Sequence, residues 1–125
     1  MTALLFVYGT LRSDFPRTHA LLGPARLVGR GTIAGTLYDL GPYPAVRRPG
    51  RPGARVAGEV WELADVTPRL AALDRYEGDE YVGEDADVAL DDGRTCRAWV
   101  YVLAGPLSAR ARELPDGVYR RRADA

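Results

Sequence analysis

The chain opens on an apolar run without alternation, residues 3–8, ended by Gly9. An unbroken run of this length predicts a strand covered on both faces, hence a central one, rather than an amphipathic helix. Over residues 27–40 the pattern alternates in places. Ile33 and Leu37 fall on one side, Thr32, Thr36 and Tyr38 on the other, and Gly29, Gly31 and Gly35 permit bends, so strands are expected. Residues 55–63 return to period two, with Val56, Gly58 and Val60 against Ala57, Trp61 and Leu63. A closing hairpin is predicted from residues 86–90 and 95–103, joined through Asp91-Asp92-Gly93.

Helical signals are fewer. A short helix around His19, Leu21 and Leu22 is expected within residues 13–23, limited by Pro16 and Gly23. Thr67 followed by Pro68 predicts a helix start, the hydroxyl capping free amides and the proline sitting in the first turn. Leu70, Ala71, Leu73 and Asp74 carry that helix toward Gly78, a natural stop. Residues 41–53, dense in Pro and Gly with Arg47, Arg48 and Arg51, read as a loop; Pro42-Tyr43-Pro44 is either a stiff pocket rim or a solvated stretch. Strands in the majority, with no repeated βαβ unit and no linker, imply one α+β domain over residues 1–125, a barrel-like sheet flanked by short helices.

Composition narrows the chemistry. All 17 basic residues are Arg, balanced by 17 acidic ones, and the 125 residues include no Lys, Asn or Gln. Without lysine there is no Schiff base, no pyridoxal-phosphate attachment and no Walker A ammonium. The single Cys96 excludes an intramolecular disulfide and a multi-cysteine zinc site, and the single His19 excludes an HExxH helix. Catalysis has to rest mainly on carboxylates, hydroxyls, backbone amides and arginine. Zero net charge and a terminal Arg120-Arg121-Arg122 without interleaved aromatics argue for a frayed end and against a nucleic-acid arm. With no signal-type segment and no apolar run near ~20 residues, a cytoplasmic protein without membrane contact is expected. The excess of Ala, Arg, Gly and Pro beside one Ile fits a GC-rich bacterial genome.

Two places invite chemistry. Tyr8-Gly9-Thr10-Leu11 stands where the first strand ends, and a glycine there lets successive N–H groups converge on an anion such as a carboxylate; the same residues also suit a plain turn. Glu77 is a seven-residue step from Leu70 and shares the helical face of Leu73, which turns its carboxylate inward. Burial and the C-terminal end of the helix dipole would both raise its proton affinity and make it a general base near neutral pH. If the helix ends one residue earlier, Glu77 extends into water beside Arg75. Asp74 on the same face either pairs with Glu77 or an arginine, or braces the helix. Ser13, Asp14 and His19 have the residue types of a nucleophilic triad without a nucleophile-elbow motif. Cys96, Trp61 and Trp99 read as packing residues.

Several segments together match a known family. Phe6-Val7-Tyr8-Gly9-Thr10-Leu11-Arg12, the stretch Leu37-Tyr38-Asp39-Leu40-Gly41-Pro42-Tyr43-Pro44-Ala45-Val46, Val56-Ala57-Gly58-Glu59-Val60-Trp61, Leu73-Asp74-Arg75-Tyr76-Glu77-Gly78, Ala98-Trp99-Val100-Tyr101-Val102 and Leu114-Pro115-Asp116-Gly117-Val118-Tyr119-Arg120 cover nearly the whole chain. In this order they resemble the gamma-glutamylcyclotransferase-like superfamily, its gamma-glutamylamine cyclotransferase and AIG2-like branches included. The resemblance implies a small mixed-strand β-barrel with a few short flanking helices. It also implies a small-molecule gamma-glutamyl substrate cradled by Tyr8, Gly9, Thr10 and Leu11, with Glu77 as catalytic acid and base. The implied reaction is intramolecular acyl transfer to 5-oxoproline with no metal or organic cofactor. One departure stands out: the family often carries Tyr-x-Arg soon after the Glu-Gly pair, where this chain has Tyr81-Val82-Gly83. That leaves room for altered leaving-group specificity, or for an AIG2-like binding module without robust catalysis. Asp79-Glu80 and Glu84-Asp85 are either a recognition element for a cationic leaving group or a solvated loop. Oligomeric state is not legible.

Overall fold

The computed structural model describes residues 3–41, 43–78 and 80–120. Along them run β1 (Ala3–Val7), α1 (Pro16–His19) continued by a 3-10 turn (Ala20–Leu22), β2 (Ala25–Ala34), β3 (Thr36–Asp39), β4 (Pro44–Arg47), β5 (Arg55–Leu63), α2 (Val66–Glu77), β6 (Tyr81–Leu90), β7 (Thr95–Leu103) and β8 (Arg112–Glu113). Strands β1, β5, β2, β6 and β7 close a barrel in that order, and β4, β3 and β8 form a small second sheet. Neighbours in the barrel are antiparallel except at the seam, where β1 meets β7 in parallel at Leu5 and Trp99. The expected α+β barrel with short flanking helices is therefore the fold observed.

The apolar run of β1 has a packing reason. Phe6 and Tyr8 enter one buried cluster with Ile33, Val60 and Val100, while Leu5 and Val7 enter a second with Leu63, Leu73 and Tyr101. Both faces of the strand are buried, so both carry apolar side chains.

Three boundaries differ from the sequence expectation. Within the presumed loop over residues 41–53, Pro44–Arg47 forms β4 and pairs with β3, burying Ala45 and Val46 completely. The proline occupies the first position of the strand, where a missing ladder donor is tolerated. Helix α2 begins at Val66 with Asp65 at its N-cap, so Thr67 is not the cap and lies with Pro68 inside the first turn. Proline is accommodated there because the first N–H groups of a helix have no intrahelical acceptor. Strand β6 starts at Tyr81, five residues before the expected Ala86, and pairs with β7 from Tyr81↔Leu103 to Ala89↔Thr95. Gly83 is needed in it: a Cβ there would stand 2.2 Å from the Trp99 ring. The stop at Gly78 is as expected, with φ at 80° and its N–H donating to the Asp74 carbonyl. Arg120 pairs with Asp116 at 2.7 Å, and the remainder of the expected frayed end lies outside the described residues. Among the described residues, no helix is long and apolar enough to cross a membrane.

Candidate active site

The chain leaves a cavity of about 510 Å³ where the end of β1 faces the end of α2, with walls from β4, β6 and β7. That volume suits a small organic molecule rather than a polymer. Tyr8, Gly9, Thr10, Leu11 and Glu77 all line it, so the segment after β1 and the last residue of α2, distant in sequence, border one space.

The turn after β1 is held from outside. Arg12 N–H donates to the Gly9 carbonyl at 3.1 Å, closing a four-residue turn. The Thr18 hydroxyl donates to the Thr10 carbonyl, and His19 Nδ1–H donates to the Leu11 carbonyl at 2.7 Å. A planar trans peptide points its C=O and N–H in opposite directions, so tethering the Thr10 carbonyl to α1 turns the Leu11 N–H away from α1. None of the Gly9, Thr10 and Leu11 amides has an acceptor among the described residues. Gly9 is also a steric requirement: a Cβ there would lie 2.5 Å from Pro44 Cγ.

Glu77 belongs to the helix, which removes the alternative in which it trails into solvent. Its side chain is half-buried with no hydrogen-bond donor among the described residues. Burial pushes its pKa from the usual 4.5 up to about 7. A carboxyl so placed exchanges protons readily at neutral pH.

Sequence reasoning missed three of the tyrosines, Tyr76, Tyr81 and Tyr101. Tyr43, Tyr76, Tyr81 and Tyr101 join Tyr8 around the cavity. Tyr8 donates its hydroxyl proton to the Tyr101 carbonyl at 2.6 Å, Tyr81 to the Pro44 carbonyl at 3.0 Å, and Tyr101 to Asp74 Oδ1 at 2.5 Å. Tyr76 and Thr10 hydroxyls meet at 2.6 Å across the rim. Burial, followed by the charge of Glu77, raises the pKa of Tyr8 and Tyr81; burial, followed by the bond to Asp74, raises that of Tyr101, so all three phenols stay protonated. These residues lie on different elements, Tyr76 on α2, Tyr81 on β6, Tyr101 on β7, with Tyr8 just after β1 and Tyr43 just before β4, and no local spacing could have grouped them.

Glu59 was missed as well. It is 5% exposed, and its carboxylate accepts from Ser13 N–H at 2.8 Å, Ser13 Oγ–H at 2.7 Å and Trp61 Nε1–H at 3.0 Å. Burial would raise its pKa, but the Ser13 and Trp61 donors outweigh that effect and hold it below the usual carboxylate range. The available signal was a charge on the same strand face as Ala57, Trp61 and Leu63.

The residue types of a nucleophilic triad are not assembled. The Ser13 hydroxyl is engaged by Glu59, the His19 ring by Leu11 and by an edge contact to Trp61 at 4.5 Å, and Asp14 accepts from Arg12 at 3.0 Å. Asp74 braces Tyr101 rather than pairing with Glu77. Cys96 and both tryptophans pack against the core, as expected. Glu80 borders the cavity while Glu84 pairs with Arg48 at 3.0 Å; Asp79 and Pro42 lie outside the described residues. Tyr43 and Pro44 do form part of the cavity wall, in keeping with the rim reading.

Comparison with known proteins points one way. The family model described as gamma-glutamyl cyclotransferase, AIG2-like, matches residues 5–121. A Drosophila melanogaster protein named as a candidate gamma-glutamylcyclotransferase is 33% identical over 127 residues, covering 91% of this chain and 78% of that protein. The gamma-glutamylaminecyclotransferase of Bos taurus is 36% identical over 116 residues, 82% of this chain and 66% of that protein, just under two-thirds of its length. The crystal structure of an AIG2-like protein from Mus musculus shares the fold, with a TM-score of 0.74 at 24% identity over 99% of each chain.

Proposed function

This chain belongs to the gamma-glutamyl cyclotransferase, AIG2-like family, and from that membership we propose that it cyclises a gamma-glutamyl amine or gamma-glutamyl amino acid to 5-oxoproline, releasing the free amine. Glu77 is the general acid and base, and residues Tyr8, Gly9, Thr10 and Leu11 cradle the gamma-glutamyl group. The observation that carries this reading is a carboxyl with a pKa of about 7 sharing one cavity with three amide donors that have no acceptor among the described residues.

The steps follow from that geometry. The amides of Gly9, Thr10 and Leu11 hold the substrate α-carboxylate. Glu77, ionised, takes a proton from the α-ammonium. The freed nitrogen attacks the γ-carbonyl of the same molecule, closing a five-membered ring. The protonated Glu77 then gives its proton to the leaving nitrogen as the C–N bond breaks and, ionised again, takes the second proton from the ring nitrogen, which leaves the neutral lactam N–H of 5-oxoproline and passes that proton on to the released amine. Folding the substrate so that its own nitrogen lies against its own carbonyl supplies much of the acceleration, because the attack is intramolecular.

The test is direct. Purified protein incubated with gamma-glutamyl amines, gamma-glutamyl amino acids and glutathione should release 5-oxoproline from at least one class. Glu77→Gln keeps the side-chain volume and removes the base, and should cut that release by about 10²–10⁴-fold with folding intact. Full turnover in Glu77→Gln, or binding without turnover across the panel, would overturn the assignment, the latter in favour of a non-catalytic binding module.

A further inference from the structure

The tyrosines that line the cavity differ from the turn opposite them in what they can offer a ligand. A phenol has one proton and two lone pairs. Tyr81 commits its proton to the Pro44 carbonyl and Tyr101 commits its own to Asp74. Both acceptors are incapable of returning a proton: one is a backbone carbonyl, the other a carboxylate. Each hydroxyl therefore presents only lone pairs to anything else. Glu77, when ionised, is likewise acceptor-only. Tyr8 spends its proton in the same way on the Tyr101 carbonyl, so the cavity sets amide donors at the turn after β1 against acceptors at Glu77, Tyr8, Tyr81 and Tyr101.

We propose that Tyr81 and Tyr101 bind the α-ammonium of the substrate as hydrogen-bond acceptors beside Glu77, so that three acceptors meet its three N–H groups. This rests on the gamma-glutamyl reading above and adds to it which residues hold the nucleophile. The arrangement also has a consequence for reactivity. When Glu77 removes one proton, the nitrogen keeps two N–H donors and gains a lone pair. A hydroxyl with a proton to give would capture that lone pair and quench the attack. Tyr81 and Tyr101 have none to give, so neither competes with the γ-carbonyl for that lone pair. For the same reason neither supplies a donor to the developing oxyanion. Glu77, Tyr81 and Tyr101 line the same cavity.

A cycle of one protein change and one ligand change tests this. L-Glutamate and glutarate differ by the α-ammonium, and neither has an amide bond to cleave. Their binding to wild type and to Tyr81→Phe, measured by ligand-observed NMR on the full chain, gives four affinities. Loss of the ammonium should weaken binding to wild type by about tenfold or more. In Tyr81→Phe that penalty should shrink at least about threefold, since the deleted hydroxyl no longer responds to the ammonium. Tyr101→Phe, run through the same cycle, covers the case in which Tyr81→Phe does not fold. In turnover assays either variant should raise KM more than it lowers kcat. Equal penalties in wild type and variant, with turnover intact, would overturn the proposal and leave the gamma-glutamyl reading standing. A reduced penalty without any 5-oxoproline release would overturn that reading and leave the ammonium site. Binding of neither ligand would overturn both.

Discussion

Glu59 on barrel strand β5 and Glu77 at the end of α2 are carboxylates withdrawn from water, and they are held in opposite ways. Glu59 is deeply buried and receives three hydrogen bonds, two from Ser13 and one from Trp61. Glu77 is half-buried, lines a cavity and receives none from the described residues. Both are covered, yet Glu59 has the lowered pKa and Glu77 the raised one. Burial alone, then, does not make a base. What separates them is whether the protein supplies donors to replace the lost water. Glu59 fastens Ser13, just beyond the turn that lines the cavity, to β5. Glu77 is left as a group whose proton can leave or arrive.

The contrast can be broken most decisively in the rate profile. With a pKa of about 7, Glu77 is mostly protonated at pH 5, and kcat/KM attributed to its ionised form should fall by about 50-fold from pH 7 to pH 5, the slope steepening toward tenfold per pH unit. A Glu59→Gln variant that still folds should keep the midpoint of that limb; a midpoint that moves would mean the two carboxylates are not separate devices.

Stability should show opposite slopes. Glu77 has its folded pKa raised from 4.5 to about 7, so the folded state binds the proton more tightly, and stability falls as pH rises from 4.5 to 7 and stays lower above it. The cost is about 3 kcal/mol, an upper figure for a half-buried group. Glu77→Gln should recover it at pH 8 and flatten that limb. Glu59 has its pKa lowered, so its contribution is present above the ordinary 4.5 and is lost as pH falls through the lower folded value. Glu59→Gln turns an amide toward donors and should cost about 3 kcal/mol at pH 7. Urea melts from pH 3 to pH 9 would check both signs, and parallel slopes would remove the distinction. The smallest effect sharpens the comparison: Ser13→Ala deletes one of three donors and should cost about 1.5 kcal/mol, with a rise in the Glu59 pKa seen by NMR titration.

Much of this arrangement was legible before any coordinates. The run ended by Gly9 gave β1 and the turn, period two gave β5 and β7, and the spacing from Leu70 through Leu73 to Glu77 turned the glutamate inward. What failed has identifiable causes. The short β4 hides because Pro44 and the arginines around it imitate a loop, while only Ala45 and Val46 carry the apolar signal. The early half of β6 hides because Gly83 looks like a break, and its reason is the Trp99 ring across the sheet. Thr67 looked like a cap because hydroxyl before proline is a strong local pattern, yet the helix starts from Asp65. Glu59 and the tyrosines needed long-range pairing: Ser13 lies 46 positions from Glu59, and Tyr8 lies 93 from the carbonyl that it bonds.

The seam between β1 and β7 has a further bearing on how the molecule is made. The first strand finds its antiparallel mate only in β5 and its parallel neighbour only in β7, so it must wait for most of the chain before both its edges are covered. Contacts of such sequence separation form slowly, since a long loop must close before they reward it. Tyr8 and Tyr101 sit on the two sides of this seam, and the hollow between them comes into being with the last stitch. In refolding, recovery of ligand binding is thus a clock for barrel closure, lagging the appearance of the β6–β7 hairpin.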